Sequence, residues 1–422
     1  YSGSKTNAKS LLEHLIENHT EDTQTLFLAE SFYFRIQNYS KMDAHSFGVI
    51  LPLSGSNKEY AERILGGIDF GLNKIKEKNP IKLFMADDEN SGAIGRVRVK
   101  ELVDNYAVSI IIGGLFPAAA KEEYLEAKKY GVFFISLSPV YLPADQKDHL
   151  LLEIPGSVES QINSLFSKEV FEHFGKRTAI IYPETDSGNA YLNEFWRKAH
   201  SSGAKIVDVI KFEPNQTDYR EKVQEILNLK YPRIRSEEYQ LMDTIYSLEK
   251  KGSVRRLQVL KPVQDFDWVF VPASPRDTLQ LIPSFPYFDA FKVNIFGGPN
   301  WRIKSLAENT GKFGNIHFIG DDLSATDDQF FSAFETRYQT APRILEVRGN
   351  DAFTIASKLI TSSQFSSRDE LDVFIRTKGM IAGQTGKWSL QDGIWLKEMA
   401  VLKLKRNGVE NPFKTGPSTE PN

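Results

Sequence analysis

Apolar residues arrive along this chain in short, mostly apolar runs, separated by longer stretches in which they repeat at helical spacing. The first run, 47–51, passes through Pro52 into Ser54-Gly55 and then into an amphipathic stretch at 61–76. Further runs lie at 81–86, 108–112, 132–135, 178–182, 204–212, 268–272 and 292–296. Helical patterns fill the intervals at 95–106, 119–130, 157–174, 190–201 and 219–229. The apolar run 47–51 suits a strand covered on both faces, and helices of this length between such strand candidates predict βαβ crossovers. The units are too many for one sheet. The predicted fold class is α/β, with two doubly wound parallel-sheet lobes joined at a hinge and preceded by a short helical hairpin.

The hairpin is expected within 1–43. Leu11, Leu12, Leu15 and Ile16 form one stripe, and Leu26, Leu28, Ala29, Phe32, Tyr33 and Ile36 a second, with Thr20-Glu-Asp22 as the cap between them. A single helix pair of this kind reads either as one tetratricopeptide-like repeat or as an extension packed on the next domain. The even rhythm breaks once more at 228–264, a charged segment with Leu241, Met242, Ile245, Tyr246 and Leu248 at helical spacing. It reads as an insertion bearing a short helix, either a solvated face or a docking surface.

Length and composition narrow the function. A chain of 422 residues exceeds one ordinary core, and a formal net charge of -3 supplies no basic field for nucleic acid. Cysteine is absent, which removes disulfides, thiolate metal sites and Cys nucleophiles. No apolar run approaches the ~20 residues of a membrane helix. The opening Tyr1-Ser-Gly-Ser-Lys5 reads as a trimmed or mature terminus, so the lack of a targeting segment says little about location.

Catalytic chemistry finds no foothold. The seven histidines are scattered without zinc-ligand spacing, and there is no Gly-x-Ser-x-Gly elbow, dinucleotide fingerprint or phosphate loop. Asp87-Asp88-Glu89 has the oxygen ligands of a hard-cation site, but consecutive acids cannot all face one ion, and capping or turn use suits them better. The expectation is therefore a protein that is not an enzyme and carries neither metal nor cofactor.

With these motifs in order, the chain resembles the type I periplasmic-binding-protein fold of branched-chain amino-acid receptors. The resemblance runs from Phe47 to Lys405. Its carriers are Gly48-Val-Ile-Leu-Pro-Leu-Ser-Gly55, Asp87-Asp88, Ile110-Ile-Ile-Gly-Gly114, Phe134-Ile-Ser-Leu-Ser138, Asp186-Ser-Gly-Asn-Ala-Tyr191, Gln216-Thr-Asp-Tyr219, Gly349-Asn-Asp-Ala-Phe353 and Gly383-Gln-Thr-Gly386. Within that fold, the Pro-Leu-Ser-Gly start, the 228–264 insertion and Asp265-Phe-Asp-Trp-Val-Phe-Val-Pro-Ala-Ser-Pro-Arg276 are similar to the lipoprotein activators of penicillin-binding proteins. The resemblance implies lobe one at 44–153 plus 300–377, lobe two at 154–299 plus 378–405, and a tail at 406–422.

It also implies two functional readings. The first is a non-enzymatic periplasmic protein that regulates a peptidoglycan synthase by contact, anchored at the outer membrane by a lipid that this chain does not include. Docking would fall to Arg233, Arg235, Arg255, Arg256 and the 283–288 loop with Phe285 and Tyr287. The alternative is a solute receptor for an ABC transporter permease or a sensor, taking an amino acid, peptide or related small molecule. Its cleft residues would be Ser54, Gly55, Phe116, Pro117, Ser136, Ser138, Asp186, Ser187, Gln216, Ser274, Asn300 and Trp301. Against the amino-acid receptors, Phe116-Pro117 replaces a small hydroxyl residue, and Gln216 stands where an acid would meet the ligand ammonium. An amide cannot balance a buried ammonium as a carboxylate does. These departures argue against ordinary capture of a free amino acid.

Overall fold

The structure is a computed structural model; it describes the chain except for residues 1–4, 19–21, 39–40, 76–79, 231–234, 250–259, 322, 324–327 and 414–422. The chain divides into two compact units, 1–160 with 325–398 and 161–324 with 399–422.

The first unit is built on a parallel sheet of β1 (Asp43–Leu51), β2 (Lys82–Asp87), β3 (Val108–Gly113), β4 (Phe133–Ser136) and β5 (Leu151–Glu153), in the order β2-β1-β3-β4-β5. Both faces of β3 and β4 are covered, which is why these strands are mostly apolar, whereas the edge strand β2 leaves Lys82 and Met85 exposed. Phe47, Val49 and Leu51 point to one core with Ile110, Ile112, Phe133 and Ile135, while Ile50, Ile111 and Phe134 point to the other.

Before the sheet, α1 (Lys5–Asn18) and α2 (Thr23–Gln37) form the expected hairpin, with Asp22 accepting from the Gln24 N–H as the cap of α2. Helices α3 (Lys58–Ile75), α4 (Gly92–Tyr106) and α5 (Pro117–Tyr130) connect the strands. Phe34 of α2 lies 5.1 Å from Tyr130 of α5 between ring centroids, and Lys129 pairs with Glu30, so the hairpin is packed on this unit.

Helix α3 and the later helix Ile344–Thr361 approach at backbone distance. A Cβ on Gly67 would fall 2.0 Å from the Glu346 carbonyl oxygen, and one on Gly349 would fall 2.3 Å from that of Ile64. A two-point ion pair from Arg63 to Glu346, at 2.7 and 2.9 Å, links the same helices.

The second unit carries β6 (Arg177–Pro183), β7 (Lys205–Phe212), β8 (Trp268–Val271), β9 (Asn294–Gly297) and β10 (Asn315–Gly320) as parallel neighbours in the order β7-β6-β8-β9-β10. This repeats the strand order of the first unit. Antiparallel strands β14 (Ala400–Lys405) and β15 (Gly408–Glu410) extend it beyond β10. The remaining strands β11 (Met380–Ala382), β12 (Lys387–Gln391) and β13 (Ile394–Lys397) form a small sheet in the first unit.

These contacts correct the expected boundaries. Residues 300–324 belong to the second unit, because Trp301 is fully buried in its core and β10 pairs with β9. Residues 378–398 belong to the first, because Trp388 and Trp395 fill its core and donate to the carbonyls of Glu153 and His149. Residues 408–410 are a strand rather than tail. The single stretch expected at 157–174 is two helices, Val158–Leu165 and Lys168–Phe174, and Ser167 caps the second. The insertion does carry a helix, Ser236–Glu249.

Gly67→Ala and Gly349→Ala are each expected to lower stability by about 1–3 kcal/mol, because the added methyl drives two helix backbones apart. Denaturant midpoints with unchanged slopes would record this loss, whereas wild-type midpoints would show that the helices do not meet as described.

Candidate functional site

In an open α/β sheet a ligand site forms beyond the carboxyl ends of the strands, where the strand order reverses. The order of the first unit reverses between β1 and β3, and that of the second between β6 and β8. Each reversal is flanked by residues expected from sequence.

At the first reversal the loops form one hydrogen-bonded network. Asp87 accepts from the N–H groups of Leu53 and Glu89, both at 2.9 Å, and from the hydroxyl and N–H of Ser54. Burial alone would raise its pKa, but these donors outweigh it and hold the carboxyl below its ordinary range. The Gly114 N–H donates to Glu123 Oε2 at 2.7 Å. Ser138 Oγ donates to the Gly114 carbonyl and Ser136 Oγ to the Ser138 carbonyl, both at 2.7 Å. Leu137 N–H takes the Gly113 carbonyl at 2.9 Å.

Glu123 was not singled out by the sequence reading. It lies on α5, entirely buried, in a space that only glycine leaves open: a Cβ on Gly95 or Gly113 would meet its carboxyl oxygens at 2.7 Å. Burial, then the charge of neighbouring Asp88, raises its pKa well above the usual value. Asp88 is buried as well and is also raised, first by burial. Glu123 Oε2 thus accepts from Gly114, while burial and the adjacent Asp88 favour the protonated form of its carboxyl. The Gly113-Gly114 pair in the motif was the available signal, since two glycines side by side mark a close approach by another group.

The consequence is chemical. The Ser54, Ser136 and Ser138 hydroxyls and the Leu53 and Gly114 N–H groups are already donated, to Asp87, to Glu123 and to backbone carbonyls. Phe116 adds bulk, lying edge-on to Tyr60 at 6.0 Å, and Pro117 opens α5 without an N–H. Gly55 is exposed at the start of the same turn.

At the second reversal the polar side chains are more accessible. Thr185 caps helix Asp186–Ser202 and lies 2.9 Å from the Ser187 hydroxyl. Asp186, Ser274 and Asn300 are exposed, and Ser187 and Gln216 half-buried. Asp277 joins two of them: it accepts from Ser274 Oγ at 2.7 Å and from Tyr219 Oη at 2.6 Å, and Tyr219 Oη accepts from the Gln216 N–H. Asn300 donates to the Ala273 carbonyl. Trp301 is a correction. It is 0% exposed, stacks over Gly297 and donates to the Ala273 carbonyl, so it supports the loop from within and cannot face a ligand.

The expected docking set is also revised. Phe285 is fully buried, and Arg235 is 8% exposed, engaged with Glu238 and the Lys261 carbonyl. Neither presents a surface, because each completes the packing of its own element. Arg233, Arg255 and Arg256 lie outside the described residues. Tyr287 is exposed at 64%, beside Arg220, on a groove of about 450 Å³ that also includes Asp218, Gln280 and Pro283. Asp87 and Asp88 are occupied by backbone donors rather than converging on an ion, and no group of acids and histidines arranged for a metal occurs among the described residues. No described helix is long and apolar enough to cross a membrane.

Two other motifs prove structural. Asp351 of Gly349–Phe353 accepts from Gln384 N, Thr385 N and Thr385 Oγ1 at 2.6–2.7 Å, so it holds the Gly383–Gly386 turn.

Glu123→Gln keeps the acceptor for the Gly114 N–H without an ionisable group and is expected to melt at or above wild type at pH 8, whereas Glu123→Ala loses about 1–3 kcal/mol at any pH. Glu123, Asp88 and Glu153 have folded pKa values above the unfolded ones, and burial carries that of Glu153 to about 7. Such groups stabilise fully below the unfolded value, and that stability is lost as pH rises through the folded one. Melting temperature should therefore fall between about pH 4.5 and 7 for the Glu153 contribution, and the fall at higher pH should shrink in Glu123→Gln. An unchanged profile in that variant would contradict the protonated state.

Residues 45–232 match the family model described as periplasmic binding protein. No curated protein matches the chain. Among solved structures, a leucine-binding protein from Thermotoga maritima is 17% identical, with a TM-score of 0.60, covering 87% of this chain and 99% of its own. An ABC transporter substrate-binding protein from Desulfitobacterium hafniense, in complex with Leu, is 17% identical with a TM-score of 0.62 and coverages of 86% and 98%. A solute-binding protein from R. palustris, in complex with benzoate, is 15% identical with a TM-score of 0.56 and coverages of 88% and 96%. The shared fold, the matched segment and the paired 2-1-3-4-5 strand orders agree: the protein has the type I periplasmic-binding fold of the branched-chain amino-acid receptor kind.

Proposed function

We propose that this protein is a non-enzymatic periplasmic solute-binding protein, serving a transporter permease or a sensor, whose ligand is neutral or cationic rather than a free α-amino acid. The observation that carries the ligand class is the occupied donor set of the first unit, with Asp87 and Glu123 in place of a bound carboxylate. The accessible Asp186, Ser187, Gln216, Ser274 and Asn300 of the second unit favour ligands rich in hydroxyl or amino groups. The solute-binding proteins that share the fold support the receptor role. They lend nothing to the synthase-regulator expectation.

That expectation stays as a second reading for one reason: a site with its donors already spent also suits a fold that no longer takes solute. Its surface would be the Tyr287–Arg220 groove.

A thermal-shift panel of polyols, sugars, amines, peptides and amino acids tests the receptor. A cognate ligand at a hundredfold excess over its Kd contributes about 2.7 kcal/mol, a rise of roughly 5–10 °C for a protein this size. Neutral or amino-bearing solutes are expected to give that rise, with leucine and benzoate inert. A large shift with leucine would refute the ligand class. Silence across the panel, together with retention of a cell-wall synthase that Tyr287→Ser abolishes, would move the assignment to contact regulation.

A further inference from the structure

The second unit carries an open groove of about 450 Å³ between the start of helix Arg220–Ile226 and the segment 280–287. Thr217, Asp218, Arg220, Gln280 and Tyr287 line it and are all exposed, so the groove is accessible to solute. Its apolar platform is Tyr287, at the end of the short helix Ser284–Tyr287. Phe285 of the same turn is fully buried and fixes the turn from behind, while Tyr287 stays 64% exposed. One exposed tyrosine is ordinary on a protein surface. Here a second feature joins it.

Arg220 lies by the ring, its Cζ 5.5 Å from the centroid, and turns Nε and Nη2 to Asp218 at 2.9 and 2.5 Å. The Arg220 N–H donates to the same carboxylate at 2.9 Å. Hydrogen bonds from Arg220 hold the Asp218 carboxyl down to about 2, so the pair is ionised and internally neutral across the working pH range. Among the described residues that line the groove, no other carries a charge. An anion or a cation therefore finds no unspent countercharge there. What the groove offers instead is a ring surface beside a fixed planar ion pair, with the Thr217 hydroxyl and the Gln280 amide at its rim.

We infer that this groove is a saccharide subsite, with Tyr287 as the stacking platform and the Asp218–Arg220 pair as the edge that meets sugar hydroxyls. A pyranose has the matching chemistry: an uncharged ring with an apolar C–H face for the aromatic and hydroxyls around its rim for the polar groups. The groove volume falls within the about 300–1,000 Å³ typical of small-molecule sites. None of these residues belongs to the strand-end set of the receptor reading, although Thr217 follows Gln216 directly. The subsite therefore stands or falls independently of that reading.

Cellobiose and maltose are the probes, in ligand-observed NMR and calorimetric titrations of the full chain. Wild type should bind at least one of them saturably, with upfield shifts of sugar-ring protons caused by the tyrosine ring current. Added sodium chloride should leave the affinity unchanged, because the groove has no net charge to screen. Tyr287→Phe should keep the shifts, whereas Tyr287→Ser should lose them and weaken binding by about tenfold or more. Asp218→Asn should weaken binding several-fold with the shifts retained, and it decides the matter should Tyr287→Ser fail to fold. No saturable binding of either sugar, or binding that Tyr287→Ser leaves intact, would overturn the subsite. If that surviving binding is abolished by Asn300→Ala, the sugar belongs to the strand-end site, and the receptor reading holds without the groove. Retention of a cell-wall synthase with no response to sugar would return the groove to the contact reading.

Discussion

The arrangement depends most on a fully buried carboxyl group, Glu123, held beneath the turn that follows β3, where burial favours its protonated form. Taken alone, burying a carboxyl there is costly. It is tolerated because Glu123 accepts the Gly114 N–H at 2.7 Å and because burial beside Asp88 favours its uncharged form. A carboxylic acid in that position turns a loop that is rich in backbone donors into one whose donors are spent. Asp87 does the same to the turn that follows β1. In the proposed receptor, ligand preference would thus be set from beneath the loops, by Asp87 and Glu123.

The first unit repeats this use of internal charge elsewhere. Lys147 is almost fully buried and is held by Glu153 at 3.3 Å and Glu159 at 3.1 Å; burial would lower its pKa, but the two acids outweigh that and raise it. Lys397 Nζ reaches the Ile154 carbonyl at 2.7 Å and Thr385 Oγ1 at 3.0 Å, and Thr385 is in turn held by Asp351. Buried pairs of this kind are not strong stabilisers, since desolvation offsets much of their attraction. What they do is make each loop position specific, because a misplaced partner would leave a charge alone in the interior.

Eight of the fifteen described strands were legible in the sequence, because a strand covered on both faces writes itself as a mostly apolar run, whereas β5, β10 and β11–β15 were not among the expected strands. The eight expected strands appear within two residues at most ends, apart from the earlier start of β1 at Asp43. Unit boundaries were not legible. Whether β10 or the 378–398 segment joins one core or the other is decided by where Trp301, Trp388 and Trp395 pack, and pattern along a chain does not record that. The candidate site divides the same way. Ser54, Ser136, Ser138 and Ser187 were found at strand ends, but their hydroxyl partners are set by tertiary contact. Glu123 escaped notice because a lone acid on an amphipathic helix reads as solvent-facing. Phe285 and Arg235 misled for the converse reason, since loop-like composition around Pro283 and a charged insertion both suggest exposure that packing removed.

The most direct test is a carbon-detected NMR titration of the Glu123 carboxyl, recorded with hydrogen exchange at the Gly114 amide. The account predicts that Glu123 titrates well above the ordinary carboxylate range and that the Gly114 N–H is strongly protected in the ligand-free protein. A carboxyl titrating in the ordinary range near 4.5, with a Gly114 amide that exchanges freely, would contradict it.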